Sequence, residues 1–471
     1  MNPEAIDRGR KHCLSGRGRP RRMRAAWAAA SVVALGTTGF APPWAPTGMA
    51  TPTSSYETPP VLKASDFLEP ELLRGDNYAV DEKVTNDGLF NTYSVQSEFG
   101  TFHPRSNSLV RIRIHEMDAI AQLKEVDKVA VAAGAAVASV VDMGKGAYHL
   151  VTNPVETAQG IGGAATRLFN RIGRSAKRTE EKLGMDGPNK SDANKSTGDQ
   201  IASTTQGVAK DVLGVNKAQR KWAERLFVDP YTHNEVLRDE LEEVADYDAG
   251  GRFSTKLLPI GLVGTVLGSV RTVNALVYEK EPDELLTLIE TKLRDMGVAP
   301  DDSRALRLNK SYTLSVQARL VASLDTLPET TGRPEYVAQA AAAEAEADAR
   351  FFQEGAYMAE LFHKQESPIL GIVPELPGAC VIAKGDRFAC LYPVDYVVWT
   401  QGVADFAESA TLYAETNFPT ARRELWLTGR ASSRATAELQ KRRWTVREKS
   451  MYVLPAAPVA PAKPTPAPAA P

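Results

Sequence analysis

Ala379-Cys380-Val381-Ile382-Ala383-Lys384-Gly385-Asp386-Arg387-Phe388-Ala389-Cys390-Leu391-Tyr392 is the stretch on which the fold turns. Two β-type runs flank a Gly-containing turn, which is the pattern of a hairpin. With the turn centred on Gly385, Cys380 and Cys390 fall opposite each other. Facing Cβ atoms of an antiparallel pair lie roughly 4.5–5.5 Å apart, within adjusting distance of a disulfide. A disulfide is the expectation; two buried free thiols are the alternative. No histidine lies close in sequence and the spacing is not C-x-x-C, which argues against a catalytic thiol.

Working outward, Ile369–Val373 and Tyr396–Trp399 read as further strands, with Pro374 and Pro377 in a connection. A helix is predicted around Val403–Ala414. Leu425–Leu427, a cap at Ser432 or Ser433, a helix through Leu439 and a strand at Trp444–Arg447 make a strand–helix–strand unit. Residues 365–450 are therefore expected as a mixed α/β C-terminal domain, followed by a Pro/Ala-rich tail at 451–471 that cannot bury a core.

Toward the N-terminus, Tyr78, Val80, Glu82 and Val84 alternate as in one strand, and Asn86-Asp87-Gly88 is a hairpin turn signal. Tyr93, Val95 and Phe99 continue the pattern. Leu109, Ile112, Ile120 and Leu123 recur at helical spacing from about Ser108, giving a covering helix. Residues 63–150 are thus read as a small antiparallel sheet plus a long helix, after a linker at 51–62. Residues 216–364 read as helical. There Thr232 and Glu235 suggest a capping box, Glu284–Met296 ends at Gly297, Leu306–Val316 alternates like a strand, and Glu335–His363 reads as one long helix. The fold class expected is α+β.

The first fifty residues carry an address. Eight basic residues precede an apolar run from Ala25 to Ala34, and Gly48 and Ala50 supply the small residues of a cleavage site. This is the form of a bacterial signal peptide, with cleavage expected near Ala50 and a start at Met23 as an alternative to Met1. The whole chain has 56 basic and 58 acidic residues; without residues 1–50 the counts are 48 and 56, a net charge of −8. That balance argues against general nucleic-acid binding, which needs a basic footprint.

Between these parts, residues 151–215 combine a basic amphipathic helix with a polar, mobile loop. Arg167, Arg171, Arg174 and Arg178 share one face, suited to an anionic membrane surface or envelope component. Two Ala/Gly-rich stretches, 129–141 and 257–270, read as close-packed core helices or as membrane-inserting segments; each is too short to span a bilayer alone.

No pattern of metal ligands or nucleophilic catalysis emerges. The five histidines after the signal are scattered, and Gly160-x-Gly162-Gly163 lacks the third glycine of a dinucleotide fingerprint, so neither metal nor cofactor is expected. Asp395 and Glu408, with His363, are the residues considered for a hydrolytic site.

Three phrases carry a resemblance: Arg113-Ile114-His115-Glu116 with Leu123; Asn153-Pro154-Val155-Glu156-Thr157 leading to Gly160 and Arg167; and Asp229-Pro230-Tyr231-Thr232. They resemble exported proteobacterial proteins to which no chemistry is tied, and the resemblance implies location alone. The expectation is an exported, periplasmic or envelope-associated structural or interaction protein. The alternatives are a hydrolase acting on an envelope polymer or lipid, and a membrane-inserting helical protein.

Overall fold

The computed structural model describes residues 55–126, 215–248 and 276–450. All of them fall within one unit, Ser54–Pro471. The arginine row at 167–178, both Ala/Gly-rich stretches, the signal and the Pro/Ala tail lie outside the described residues. Among the described residues no helix is long and apolar enough to cross a membrane.

The fold is α+β, and its centre is the hairpin read from the sequence. Strands β7 (Ile369–Ile372), β8 (Ala379–Ala383), β9 (Arg387–Tyr392), β11 (Arg422–Leu427) and β13 (Trp444–Arg447) form a five-stranded sheet in the order β13-β11-β9-β8-β7. The pairs β7–β8 and β8–β9 are antiparallel; β9–β11 and β11–β13 are parallel. Parallel neighbours require crossovers, and helices α10 (Gln401–Asn417) and α11 (Ser433–Lys441) supply them. Every residue of β9 is buried. Arg387 stacks over Phe362 of helix α9 (Glu346–Gln365), while the next residue, Phe388, meets Tyr413 of α10. Successive strand side chains point to opposite faces, so a helix covers each side.

Cys380 and Cys390 are partners in the β8–β9 register, with Cα atoms 4.0 Å apart, and stand at disulfide distance. Both are fully buried.

The N-terminal part contains two small antiparallel sheets. One joins β1 (Leu62–Lys63), β3 (Lys83–Asn86) and β4 (Asn91–Thr92); the other joins β2 (Tyr78–Val80), β5 (Val95–Ser97) and β6 (Gly100–Phe102). The alternating run at 78–84 therefore divides between two sheets. Asn86-Asp87-Gly88 does make the turn: Asn86 Oδ1 accepts from Gly88 N, and Asp87 Oδ1 accepts from Leu89 N and Phe90 N. After the short helix α1 (Pro70–Leu73), helix α2 (Asn107–Lys124) covers these strands through Val110, Ile114 and Met117. Glu57, in the stretch read as a linker, accepts hydrogen bonds from Trp399 N and the Ser432 hydroxyl.

In the helical centre, α3 (Lys217–Leu226) and α4 (Glu235–Tyr247) pack with α2, and α5 (Pro282–Asp295), α6 (Pro300–Leu308), α7 (Leu314–Asp325) and α8 (Arg333–Ala340) lead to α9. Three readings are corrected here. Leu306–Val316 is not a strand: Pro300 opens α6 and the Thr313 side chain caps α7. Thr232 does not cap α4; Asn234 does. Glu335–His363 is not one helix, because its Ala-rich middle is captured by neighbours. Tyr312 donates to the Ala340 carbonyl, and Asn309 donates to those of Ala341 and Ala343. Those external donors satisfy carbonyls that a continuing helix would have used, and tertiary contacts override a high intrinsic propensity.

Candidate functional site

A cleft opens where the N-terminus of α2, the first half of α9 and the β9–β10 connection converge, β10 (Tyr396–Val397) being paired with β12 (Arg430–Ala431). It encloses about 50 Å³. Its floor is fixed by main chain. Asp395 N and Tyr396 N both donate to Leu89 O, and Gly429 lies so close that a Cβ there would stand 1.9 Å from Asp395 O.

Asp395 is 5% exposed. Its Oδ1 accepts from Asn107 N at 3.0 Å and its Oδ2 from Asn91 N at 2.9 Å, so it ties α2 to the β3–β4 hairpin. Burial pushes its carboxyl up to about 7; the two N–H donors oppose this, and Glu354 and Asp87 add to it. Glu354, from α9, accepts the Ser108 hydroxyl at 2.5 Å. Burial raises its carboxyl too, against the Ser108 bond and the charge of Arg350. Ser106 precedes Asn107 at φ 151, ψ 160, a region that L-residues other than glycine rarely occupy. Its Oγ accepts from Leu109 N, the cap that starts α2.

Arg350 also lines the cleft and is 7% exposed. Its Nε has no hydrogen-bond partner, and among the described residues no carboxylate is within ion-pair distance of it. Arg111, from α2, lines the cleft as well. It pairs with Glu69 and donates to Phe67 O, and its Nε too is unpartnered.

A second layer of polar contacts supports α2 and α9 behind the cleft. Glu116, 2% exposed, accepts from Thr232 at 2.5 Å, from Asn234 at 3.1 Å and from Arg113 at 2.7 Å. Arg113 also pairs with Glu346 at the start of α9. Burial alone would raise the Glu346 carboxyl; His233, Arg113 and Arg350 outweigh it and hold it at about 2. Arg105 bridges Asp87 and Asp348 at 2.7 and 3.2 Å. The phrases around Glu116 and Thr232, far apart in sequence, thus meet in one network.

Of the acids and bases considered from the sequence, the cleft gathers Asp395 but not Glu408 or His363. Glu408 is exposed on α10. His363, near the end of α9, accepts from Ile369 N through Nδ1. The carboxyl companion of Asp395 is Glu354. It and Arg350 were missed, although Ala347, Arg350, Phe351 and Glu354 fall at helical spacing on one face, an arrangement that sets two charges among core residues. Among the described residues no group of His, Cys, Asp and Glu forms a metal site. No family model, curated protein or solved structure matches the chain.

Proposed function

We propose that this is an exported, envelope-associated protein that binds its ligand in the cleft at Arg350 without transforming it. Export is supported by the charged and apolar pattern of residues 1–50 and by the buried cysteine pair, which suits an oxidising compartment. Binding rests on Arg350. Its side chain lines the cleft and no ion pair or hydrogen bond among the described residues claims it, so the guanidinium is left to serve as the counterpart of an acidic ligand. The arginine row at 167–178 supports an anionic envelope surface as a partner. Cell fractionation with mass spectrometry tests the export reading: the mature chain is expected outside the cytoplasm, starting near Thr51 and two hydrogens lighter at Cys380 and Cys390. An unprocessed cytoplasmic chain contradicts it. Replacing Arg167, Arg171, Arg174 and Arg178 by Ala is expected to release the protein from membranes; identical behaviour of wild type and variant rules out association through this row.

A second reading, hydrolysis of an envelope polymer or lipid, is favoured by one observation. Asp395 and Glu354 are two carboxyl groups on one cleft, both raised by burial, and such environments suit acid–base work. Turnover of envelope material by the wild type, lost in both Asp395→Asn and Glu354→Gln, is the expected sign. A wild type that releases nothing supports binding alone.

A further inference from the structure

We propose that the cleft takes the carboxylate of a small organic acid, seated on the Arg350 guanidinium with the Ser106 hydroxyl as a further donor. This rests on the binding reading above and names its ligand class.

Arg350 is nine-tenths buried, unpaired at Nε, and lines the cleft. A guanidinium is a planar fork of donors whose natural counterpart is a carboxylate or a phosphate, bonded two-fold. Ser106 Oγ already accepts from Leu109 N, so its proton is left to donate, and Ser106 also lines the cleft. Asn107 and the following residues begin a helix of 18 residues, whose N-terminus favours negative charge. The strained backbone at Ser106 sits at the same rim.

Two features choose between the anions. The space of about 50 Å³ suits a small acidic group. Glu354 and Asp395 share the walls. A phosphate carries roughly 1.5 to 2 negative charges near neutrality and would face both acids; a carboxylate carries one, and shares a proton readily with a carboxyl beside it. Groups facing Arg350 from the surrounding elements are Glu346 and Glu354 on its own helix, and Arg319 from α7.

Calorimetric titration of the full chain with acetate, glycolate, inorganic phosphate and glycerol tests this. Saturable binding of acetate or glycolate is expected, weakened at least tenfold in Arg350→Met and severalfold in Ser106→Ala. Unliganded Arg350→Met is expected to melt close to the wild-type temperature, since it removes a buried charge without an ion-pair partner together with that charge's attraction for Glu346 and Glu354. Arg350-dependent binding of phosphate or glycerol instead overturns the ligand class and leaves the cleft a binding site. No saturable binding of any probe overturns both. An Arg350→Met chain that melts well below wild type makes Arg350 structural and also overturns the proposal. If that variant does not fold, Ser106→Ala decides: unchanged carboxylate affinity counts against the site.

Discussion

Glu116 accepts the hydroxyl proton of Thr232 at 2.5 Å across 116 residues of chain. With Asn234 and Arg113 on its other oxygen, the carboxylate has a full set of partners while almost wholly buried. Such a group holds α2 against the loop before α4. Removing it leaves Arg113 with Glu346 as its one acid partner and strands two neutral donors.

Glu116→Ala is accordingly expected to destabilise the fold by about 3–5 kcal/mol, the range for breaking a buried charge pair on one side. Thr232→Val removes the donor to Glu116 and the acceptor of Asn234 N, both uncharged on the Thr232 side, and is expected to cost about 1–3 kcal/mol. Urea unfolding of the two variants checks the order; equal costs would mean that the ion pair to Arg113 adds nothing.

The Asp395 carboxyl, pushed up to about 7 from an ordinary 3.8, makes stability depend on pH. The native state holds this proton more tightly than the unfolded chain. Stability contributed by the neutral form is therefore full below about pH 4, declines as pH rises, and is lost above about 7. Asp395→Asn removes that slope, but its amide must turn a donor toward Asn91 N or Asn107 N. The variant is expected to be less stable than wild type at pH 5, with the gap narrowing at pH 8. Unfolding midpoints at the two pH values measure this, and parallel profiles would show that Asp395 does not titrate in that window.

Gly429 and Gly385 separate two reasons for glycine. A Cβ at Gly429 would collide with the main chain of Val394 and Asp395. Gly429→Ala is expected to cost about 3 kcal/mol through overpacking and to distort the cleft floor. Gly385 has open space around it but φ +77, so Gly385→Ala is expected to cost about 1 kcal/mol through backbone strain alone. Thermal unfolding distinguishes them, and only the Gly429 variant should lose ligand binding.

The cysteine pair closes a short loop, with a sequence separation of 10. A closed disulfide over such a loop is worth about 3 kcal/mol on a chain-entropy account. Reduction, or Cys380→Ala with Cys390→Ala, is expected to lower the denaturation midpoint by the corresponding amount. A midpoint indifferent to reductant would mean that the thiols are free.

The parts of the fold legible in the sequence were those set by local chemistry. Gly385 fixed the turn and hence the Cys380–Cys390 register; Ser432 and Gly297 marked helix ends where they occur. What was not legible depended on partners distant in sequence. The 78–84 run alternates as a single strand would, yet its two halves pair with different strands. Thr232 has the local pattern of a cap, but Glu116 takes its hydroxyl. The cleft was legible only at Asp395, because its other charges, Arg111 on α2 and Arg350 and Glu354 on α9, sit in helices where charged residues ordinarily face water.

The side chains of Asn309 and Tyr312 end α8 by taking its carbonyls. An unbroken helix over 333–365 would be a rod of roughly 50 Å; the break lets the chain start again at Glu346 on a new axis, which is the axis that carries Arg350 and Glu354. The wall of the cleft is thus oriented from outside itself. A substitution at Asn309, which lines no part of the recess, is a route by which the site can be dismantled while every residue within it stays the same.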